Sequence, residues 1–126
     1  MPLTTITDVR TVAIGVRDQE AAVNFYVDTL GFEKRLDAPI SPEMRWIEVA
    51  PRGARMSLAL TQAERPTGVT TDTGIRYVVP DVEAEHAVMK ERGVDVGEVI
   101  DWEGVPPMYS FDDPDGNRFY IVEEIR

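Results

Sequence analysis

The sequence predicts an α+β fold in which tandem βαβββ modules form a curved mixed sheet around a central cleft. Three observations support this prediction. The order strand, helix and three strands occurs twice; the candidate helix caps Asp18 and Asp81 are 63 residues apart; and the helix-terminating glycines Gly31 and Gly93 are 62 apart. A constant offset between different kinds of element is typical of an internal repeat.

The first module can be followed element by element. Alternating β-branched residues predict a strand at 11–16. Asp18 is the type of residue that caps a helix, Gly31 is the type that ends one, and an apolar stripe lies between them at Ala22, Val23, Tyr26 and Leu30. Further strands are predicted at 32–36, 45–50 and 55–61, with a hairpin turn at 51–53.

The second module repeats this order. A strand is predicted at 74–79, a shorter helix between Asp81 and Gly93, and strands at 94–99, 107–111 and 117–122. The last two strands are joined by the turn residues 112–116. We therefore expect a single domain over 1–126, with modules at about 8–61 and 73–124 and a linker at 62–72.

Composition excludes several classes of function. The formal net charge of −10 and the pI of about 4.5 disfavour nucleic-acid binding. The chain has no cysteine, which excludes disulfides and thiol chemistry. No apolar run is long enough to cross a membrane, and residues 1–5 lack the features of a secretory signal. We therefore expect a cytoplasmic protein with no membrane partner.

Three stretches carry a resemblance to a known family. They are residues 12–18 (VAIGVRD), residues 22–26 with 30–32 (AVNFY and LGF), and residues 111–117 (FDDPDGN). With them the chain resembles the vicinal oxygen chelate superfamily, which includes glyoxalase I, extradiol dioxygenases, fosfomycin-resistance enzymes and bleomycin-binding resistance proteins. The resemblance covers nearly the whole chain and implies the fold more strongly than the chemistry.

In metal-dependent members of that family, the first and last strands of both modules each supply one metal ligand. The resemblance places these positions on Thr11, Ala59, Gly74 and Tyr120, which offer neither imidazole nitrogen nor carboxylate oxygen. The single histidine, His86, lies within the second predicted helix. We therefore expect no metal ion or other cofactor.

Strand alternation predicts which side chains face the cleft. Small residues at Thr11, Ala59 and Gly74 would leave space for a ligand, although they would also allow the other module to pack closely. Aromatic and charged residues are expected to line this space. The predicted ligand-binding cleft contains Thr11, Trp46, Glu48, Ala59, Gly74, Arg76, Trp102, Tyr109 and Tyr120, with Met108 and Ser110 replacing Tyr109 if that strand has the opposite parity.

Three functions remain open at this point. The first is a binder of a small aromatic or cationic molecule, without catalysis. The second is a metal-independent enzyme, of lyase, isomerase or dioxygenase-like type, in which Arg76 stabilises an oxyanion and Glu48 or Tyr120 acts as acid or base. The third is a structural or regulatory protein with a filled cleft. The open sheet face of each module needs a covering partner, which either two modules side by side or modules paired between chains would supply, and a homodimer is expected.

Overall fold

The computed structural model describes residues 3–125; Met1, Pro2 and Arg126, which the domain and signal interpretations included, lie outside the described residues. Helix α1 begins as an α-helix at Gln19–Val23 and continues as a π-helix at Asn24–Thr29, and α2 is Val82–Glu91. Within residues 3–125, neither helix is long and apolar enough to span a bilayer. The strands are β1 Thr11–Val16, β2 Glu33–Ser41, β3 Met44–Ala50, β4 Ser57–Gln62, β5 Thr71–Val79, β6 Asp95–Val96, β7 Met108–Asp112 and β8 Asn117–Glu123.

The strands form two four-stranded mixed sheets with the same topology. The first has the order β1-β4-β3-β2 and the second the order β5-β8-β7-β6. In each sheet the first and last strands of the module pair in parallel, and the other pairs are antiparallel. The α+β class and the tandem modules are therefore confirmed, but the single curved sheet that we expected is divided into two.

Both helices begin and end where the sequence predicts. Asp18 accepts a hydrogen bond from the backbone N–H of Ala21, and Asp81 accepts one from Ala84, each at 3.1 Å. These contacts satisfy N–H groups that the first helical turn leaves unpaired. Gly31 and Gly93 follow the helices with φ of 81° and 82°. Glycine adopts this left-handed conformation without the steric cost that a Cβ would impose.

The second half of α1 differs from the expected regular α-helix. Over Asn24–Thr29 the helix widens to a π-helix, and the Leu30 N–H donates to the Phe25 carbonyl at 3.0 Å. Tyr26, in this segment, is fully buried. Apolar periodicity alone does not distinguish an α-helical turn from a π-helical one, because both place these side chains inward.

Three strands differ from the predictions by three or more residues at one end, because their pairing partners decide where they begin and end. β5 begins at Thr71 rather than at residue 74, since Thr71 pairs with Asn117 of β8. β2 extends to Ser41, since it pairs with β3 as far as the Ser41–Met44 register.

The strand predicted at 94–99 is regular only at Asp95–Val96, which pair with β7. Beyond them the contact with β7 continues irregularly, through the Gly97 N–H, which donates to the Ser110 carbonyl at 2.8 Å, and through an isolated bridge between Ile100 and Met108.

The hydrophobic core is shared by the two modules. Tyr26 of the first module packs against Phe119 of the second with ring centroids 6.2 Å apart, and Phe32 packs against Tyr77 at 5.4 Å. Phe119 and Tyr77 lie on the face of the second sheet that points into this core, as Ile47, Val49 and Leu58 do in the first sheet. Each sheet turns its other face, called here the open face, away from the core. Val78, on the open face of the second sheet, is accordingly 61% exposed.

Candidate functional site

A polar cluster lies on the open face of the first sheet. Thr11 pairs in register with Ser57 on the adjacent strand, and Glu48 pairs with Ala59. Their neighbours Ile47, Val49 and Leu58 belong to the core, so alternation directs the cluster to the open face. The structure thus brings together four of the predicted site residues: Thr11, Trp46, Glu48 and Ala59.

Glu48 is the centre of this cluster. Its side chain accepts hydrogen bonds from the Trp46 indole Nε1 and the Ser57 hydroxyl, both at 2.7 Å, and from the Arg10 guanidinium at 3.1 Å. The residue is only 4% exposed. Because a buried carboxylate is costly unless it is well bonded, these donors are what allow a charge at this position. We call Glu48 with Trp46 and Ser57 the Glu48 site.

The environment keeps Glu48 ionised. Burial by itself raises the pKa of its carboxyl group, but the hydrogen bonds from Ser57 and Trp46 and the charges of Arg10 and Arg35 outweigh burial and hold the pKa below its ordinary value. The open face of the first sheet therefore carries a nearly buried negative charge at neutral pH. Arg10 and Ser57 were not among the predicted site residues. Strand alternation places Ser57 on the same side of its strand as Ala59, whereas Arg10, 38 residues from Glu48, gave no signal for its contact.

A second cluster lies on the open face of the other sheet. Arg76 and Tyr120 are paired across β5 and β8, and the guanidinium carbon lies 4.7 Å from the Tyr120 ring centroid. Arg76 also donates to the Gly74 carbonyl at 2.9 Å, and the Tyr120 hydroxyl donates to Asp72 at 2.7 Å. That bond lowers the pKa of Asp72 and raises the pKa of Tyr120. Asp72 is a contributor that strand alternation did not single out.

Gly74 occupies a distorted part of β5. Its φ is 72°, and the register with β8 shifts between Asp72 and Arg76. A side chain at this position would be strained by the left-handed backbone. The presence of glycine at position 74 is therefore explained by the backbone conformation as well as by the space that the missing side chain leaves.

Tyr109 lies outside both clusters. It is 1% exposed, its hydroxyl contacts the Met89 sulfur at 2.8 Å, and its ring packs edge-on against His86. It therefore belongs to the helix-covered face, so β7 has the second of the two orientations considered from the sequence. Ser110, which pairs with Tyr120, and Met108 take its place on the open face. Tyr109 was placed wrongly, because in β7 the aromatic residues Tyr109 and Phe111 face the core and alternate with Met108, Ser110 and Asp112.

Trp102 is also not brought to either cluster. It lies in the loop between β6 and β7 and is 67% exposed. His86 lies on α2, and its Nε2 is 2.8 Å from the Gly97 carbonyl oxygen of the same module. This contact gives His86 a structural role.

The four positions that the resemblance assigns to metal ligands can be tested against the structure. Ala59 and Gly74 supply no side-chain donor, the Thr11 hydroxyl donates to the Ser57 carbonyl, and the Tyr120 hydroxyl donates to Asp72. This donor set does not fit a divalent metal ion. Within residues 3–125, no group of three or more His, Cys, Asp or Glu side chains is arranged to hold a metal ion.

The two clusters lie on different sheets whose open faces both point away from the shared core. A cavity of about 490 Å³ lies on the open face of the second sheet, and its walls come from that module alone: Arg76, Val78, Val105, Pro106, Met108, Val122, Glu123, Glu124 and Ile125. Arg76 of the second cluster therefore borders a cavity, whereas Glu48 and Ser57 of the first are covered by their own neighbours and are each 4% exposed.

Comparison with known proteins agrees with the fold. Residues 9–121 match the family model of the Glyoxalase/Bleomycin resistance protein/Dioxygenase superfamily. A crystal structure of a member of that superfamily from Sphaerobacter thermophilus DSM 20745 is 36% identical, with a TM-score of 0.87, covering 96% of this chain and 100% of the other.

Two further relatives are of similar length. The structure of TnmS3, described as an antibiotic binding protein from Streptomyces sp. CB03234, is 35% identical with a TM-score of 0.83 and covers 97% of this chain and 99% of its own. The uncharacterized protein YetH of Bacillus subtilis (strain 168) is 33% identical over 122 residues, and the match covers 94% of this chain and 99% of YetH. The chain therefore belongs to the Glyoxalase/Bleomycin resistance protein/Dioxygenase superfamily.

Proposed function

We propose that this protein binds a small aromatic or cationic organic molecule in a cleft on its open sheet faces, without a metal ion and without catalysis. The observation that carries the proposal is the Glu48 site, where a nearly buried carboxylate lies 2.7 Å from the indole nitrogen of Trp46. Negative charge beside an aromatic ring is a combination that suits an aromatic cation.

The energetics favour binding over chemistry at this site. Glu48 already accepts from several donors, and its lowered pKa makes it a weak base at neutral pH. A cation placed against it gains from the low local dielectric and leaves no buried donor unpaired. Arg76, the residue suggested for an oxyanion, is engaged with the Tyr120 ring and the Gly74 carbonyl instead.

The relatives support this class of function. TnmS3, at 35% identity and with nearly complete coverage of both chains, is described as an antibiotic binding protein. A protein of this superfamily can therefore use the fold to hold a small molecule. The identity of the molecule bound by the present chain is left to experiment.

The proposed cleft is completed by a second copy of the chain. The open faces of the two sheets point away from the common core, and the second one exposes apolar side chains, with Val78 61% and Val105 47% exposed. Exposed apolar patches of this kind favour an interface. In a homodimer, the first sheet of one copy would face the second sheet of its partner, and the two clusters would meet across the cleft.

A thermal-shift screen with matched compounds tests the proposal. Each pair combines an aromatic cation with a neutral analogue of similar shape, such as benzamidine with benzamide and 9-aminoacridine with acridine at pH 8. A ligand that binds only the native state raises the melting temperature by mass action. We expect larger shifts with the cations, unchanged by EDTA, and loss of the preference in Glu48→Gln.

The outcomes separate the candidates clearly. Shifts that appear only after a divalent metal is added would overturn the metal-free proposal, as would stoichiometric metal in the purified protein by elemental analysis. Absence of any shift across the compounds would overturn small-molecule binding. A binding compound that is chemically converted on incubation would favour the enzyme instead.

A further inference from the structure

Arg10 is the cationic partner of the Glu48 carboxylate, and the two side chains differ sharply in exposure. The Arg10 side chain is 73% exposed, whereas that of Glu48 is 5% exposed, although their atoms are 3.1 Å apart. An ion pair with one partner so exposed is screened by water and by salt, and it contributes little. Arg10 therefore holds Glu48 weakly.

The backbone of Arg10 is anchored independently of its side chain. The Ser57 N–H donates to the Arg10 carbonyl at 3.0 Å, next to the point where β1 and β4 begin to pair. The guanidinium can swing into solvent without loss of that bond. Its departure leaves the sheet intact.

The remaining donors to Glu48 stay in place when Arg10 leaves. Trp46 lies on the same strand as Glu48, and Ser57 lies on the adjacent strand β4, so sheet geometry fixes both contacts. Both donors are neutral, and the carboxylate keeps its charge. The charge of Arg35 also acts on Glu48, but its guanidinium is bonded to Glu33 and to the Pro51 carbonyl. The result is a preformed, negatively charged binding position beside the Trp46 ring, and a ligand would reach it from the side that Arg10 covers.

We propose that Arg10 occupies, in the free protein, the place of the ligand's cationic group, and that the ligand displaces it with an amidinium, guanidinium or ammonium group. For the natural ligand this inference rests on the proposed function. The exchange replaces an exposed cation by one that the ligand itself shields from water, which strengthens the attraction to Glu48, and burial of the ligand's apolar part offsets the cost of desolvating the cation. A ligand must therefore compete with Arg10 for Glu48, which favours cationic over neutral molecules.

Chemical rescue of Arg10→Ala tests the exchange without knowledge of the natural ligand. The chain has two tryptophans, so the indole N–H signals of Trp46 and Trp102 report on the Glu48 site and on a distant exposed loop. Both signals are followed by NMR during titration with methylguanidinium chloride. Methylurea serves as the neutral control, and potassium chloride at equal ionic strength controls for salt.

Arg55→Ala provides the matched control variant. Arg55 forms an exposed ion pair with Asp8, so its removal changes the net charge equally but leaves Glu48 untouched. Arg10→Gln keeps a polar side chain of similar reach and tests whether the positive charge is what matters.

We expect methylguanidinium to shift the Trp46 signal saturably in Arg10→Ala and Arg10→Gln, at a concentration about fivefold or more below that needed in the wild type. Arg55→Ala should behave like the wild type, Trp102 should not respond, and adding Glu48→Gln to Arg10→Ala should abolish the effect. Equal titrations in wild type and Arg10→Ala, or no saturable shift in either, would overturn the proposal. The compound screen can fail or succeed independently, so the two proposals are distinguishable.

Discussion

At the scale of single residues, Glu48 shows how a charge is maintained at a nearly buried position. Desolvation disfavours its ionised form, yet hydrogen bonds from Trp46 and Ser57 and the charges of Arg10 and Arg35 reverse the balance. The carboxylate therefore depends on its donors, and those donors in turn depend on it to avoid an unpaired polar group.

Replacement of Glu48 by glutamine tests this balance through its pH dependence. A group whose folded pKa is depressed stabilises the fold above its unfolded pKa, and that contribution is lost as the pH falls through the folded value. With an ordinary pKa of 4.5, we expect Glu48→Gln to lower the free energy of unfolding by about 1–3 kcal/mol at pH 7. The difference from wild type should shrink between pH 5 and pH 3.

Urea denaturation at several pH values measures this effect. Glu64→Gln, a substitution at an exposed glutamate, is the control and should change little at any of them. A difference for Glu48→Gln that stayed constant or grew as the pH fell would contradict the assigned role of the carboxylate.

At the scale of elements, the turn between β7 and β8 is held by hydrogen bonds within the turn and by close packing against the linker. Oδ1 of Asp113 accepts hydrogen bonds from the backbone N–H groups of Asp115 and Asn117, each at 2.9 Å. Gly116 completes the turn with φ of 81°, and a Cβ there would lie 2.3 Å from the carbonyl oxygen of Val69. The turn therefore requires glycine for two separate reasons, its backbone conformation and its close approach to the preceding linker.

Comparison of Gly116→Ala with Gly31→Ala separates these reasons. Gly31 has the same φ of 81°, but a Cβ there would meet nothing within 4 Å. We expect Gly31→Ala to cost about 1 kcal/mol and Gly116→Ala about 3 kcal/mol or more, since the second variant adds a clash with backbone. Thermal unfolding measures both, and equal losses would show that the contact with Val69 does not matter.

At the scale of the whole molecule, a buried hydrogen bond ties the two modules together. The Tyr26 hydroxyl, on α1, donates to Oδ2 of Asp113, in the second module, at 2.6 Å. Burial, followed by the proximity of Asp113, raises the pKa of Tyr26, so the hydroxyl keeps its proton at physiological pH. Asn117 extends this connection, because its side chain donates to both Asp113 and the Gly15 carbonyl at 2.9 Å.

Tyr26→Phe removes the hydroxyl while keeping the ring. Because a hydrogen bond to a charged group is lost in a buried place, we expect the free energy of unfolding to fall by about 2 kcal/mol. Tyr77→Phe is the control, since its ring belongs to the same aromatic cluster and no hydrogen bond of its hydroxyl is found within residues 3–125. A loss for Tyr26→Phe no larger than that of the control would show that the bond does not hold the modules together.

The proposed homodimer makes its own prediction for the exposed valines. Val78 lies on the open face of the second sheet and Val88 on α2, and they are 61% and 46% exposed. A buried, unpaired charge at an interface is costly, so Val78→Glu should shift the protein from dimer to monomer, whereas Val88→Glu should not. Light scattering during size-exclusion chromatography measures the mass of each, and a wild-type monomer would contradict the dimer.

Local signals were enough to predict the tandem α+β fold. The caps Asp18 and Asp81, the terminating glycines and the alternation of β1 and β8 each act through a few neighbouring residues, so the sequence by itself determined the order and nature of most elements. The same alternation placed Trp46 and Glu48 on the open side of β3, where the structure has them.

Contacts between distant residues were decided only by the tertiary structure. The parity of Tyr109, the end of β2, the division into two sheets and the approach of Arg10 to Glu48 all depend on which strands pair and in which register. Which side of β7 is covered depends on the elements that pack against it, and a guanidinium 38 residues away gives no periodic signal. The family and its modules could therefore be predicted from the sequence, while the charged partner that covers the candidate site required the fold.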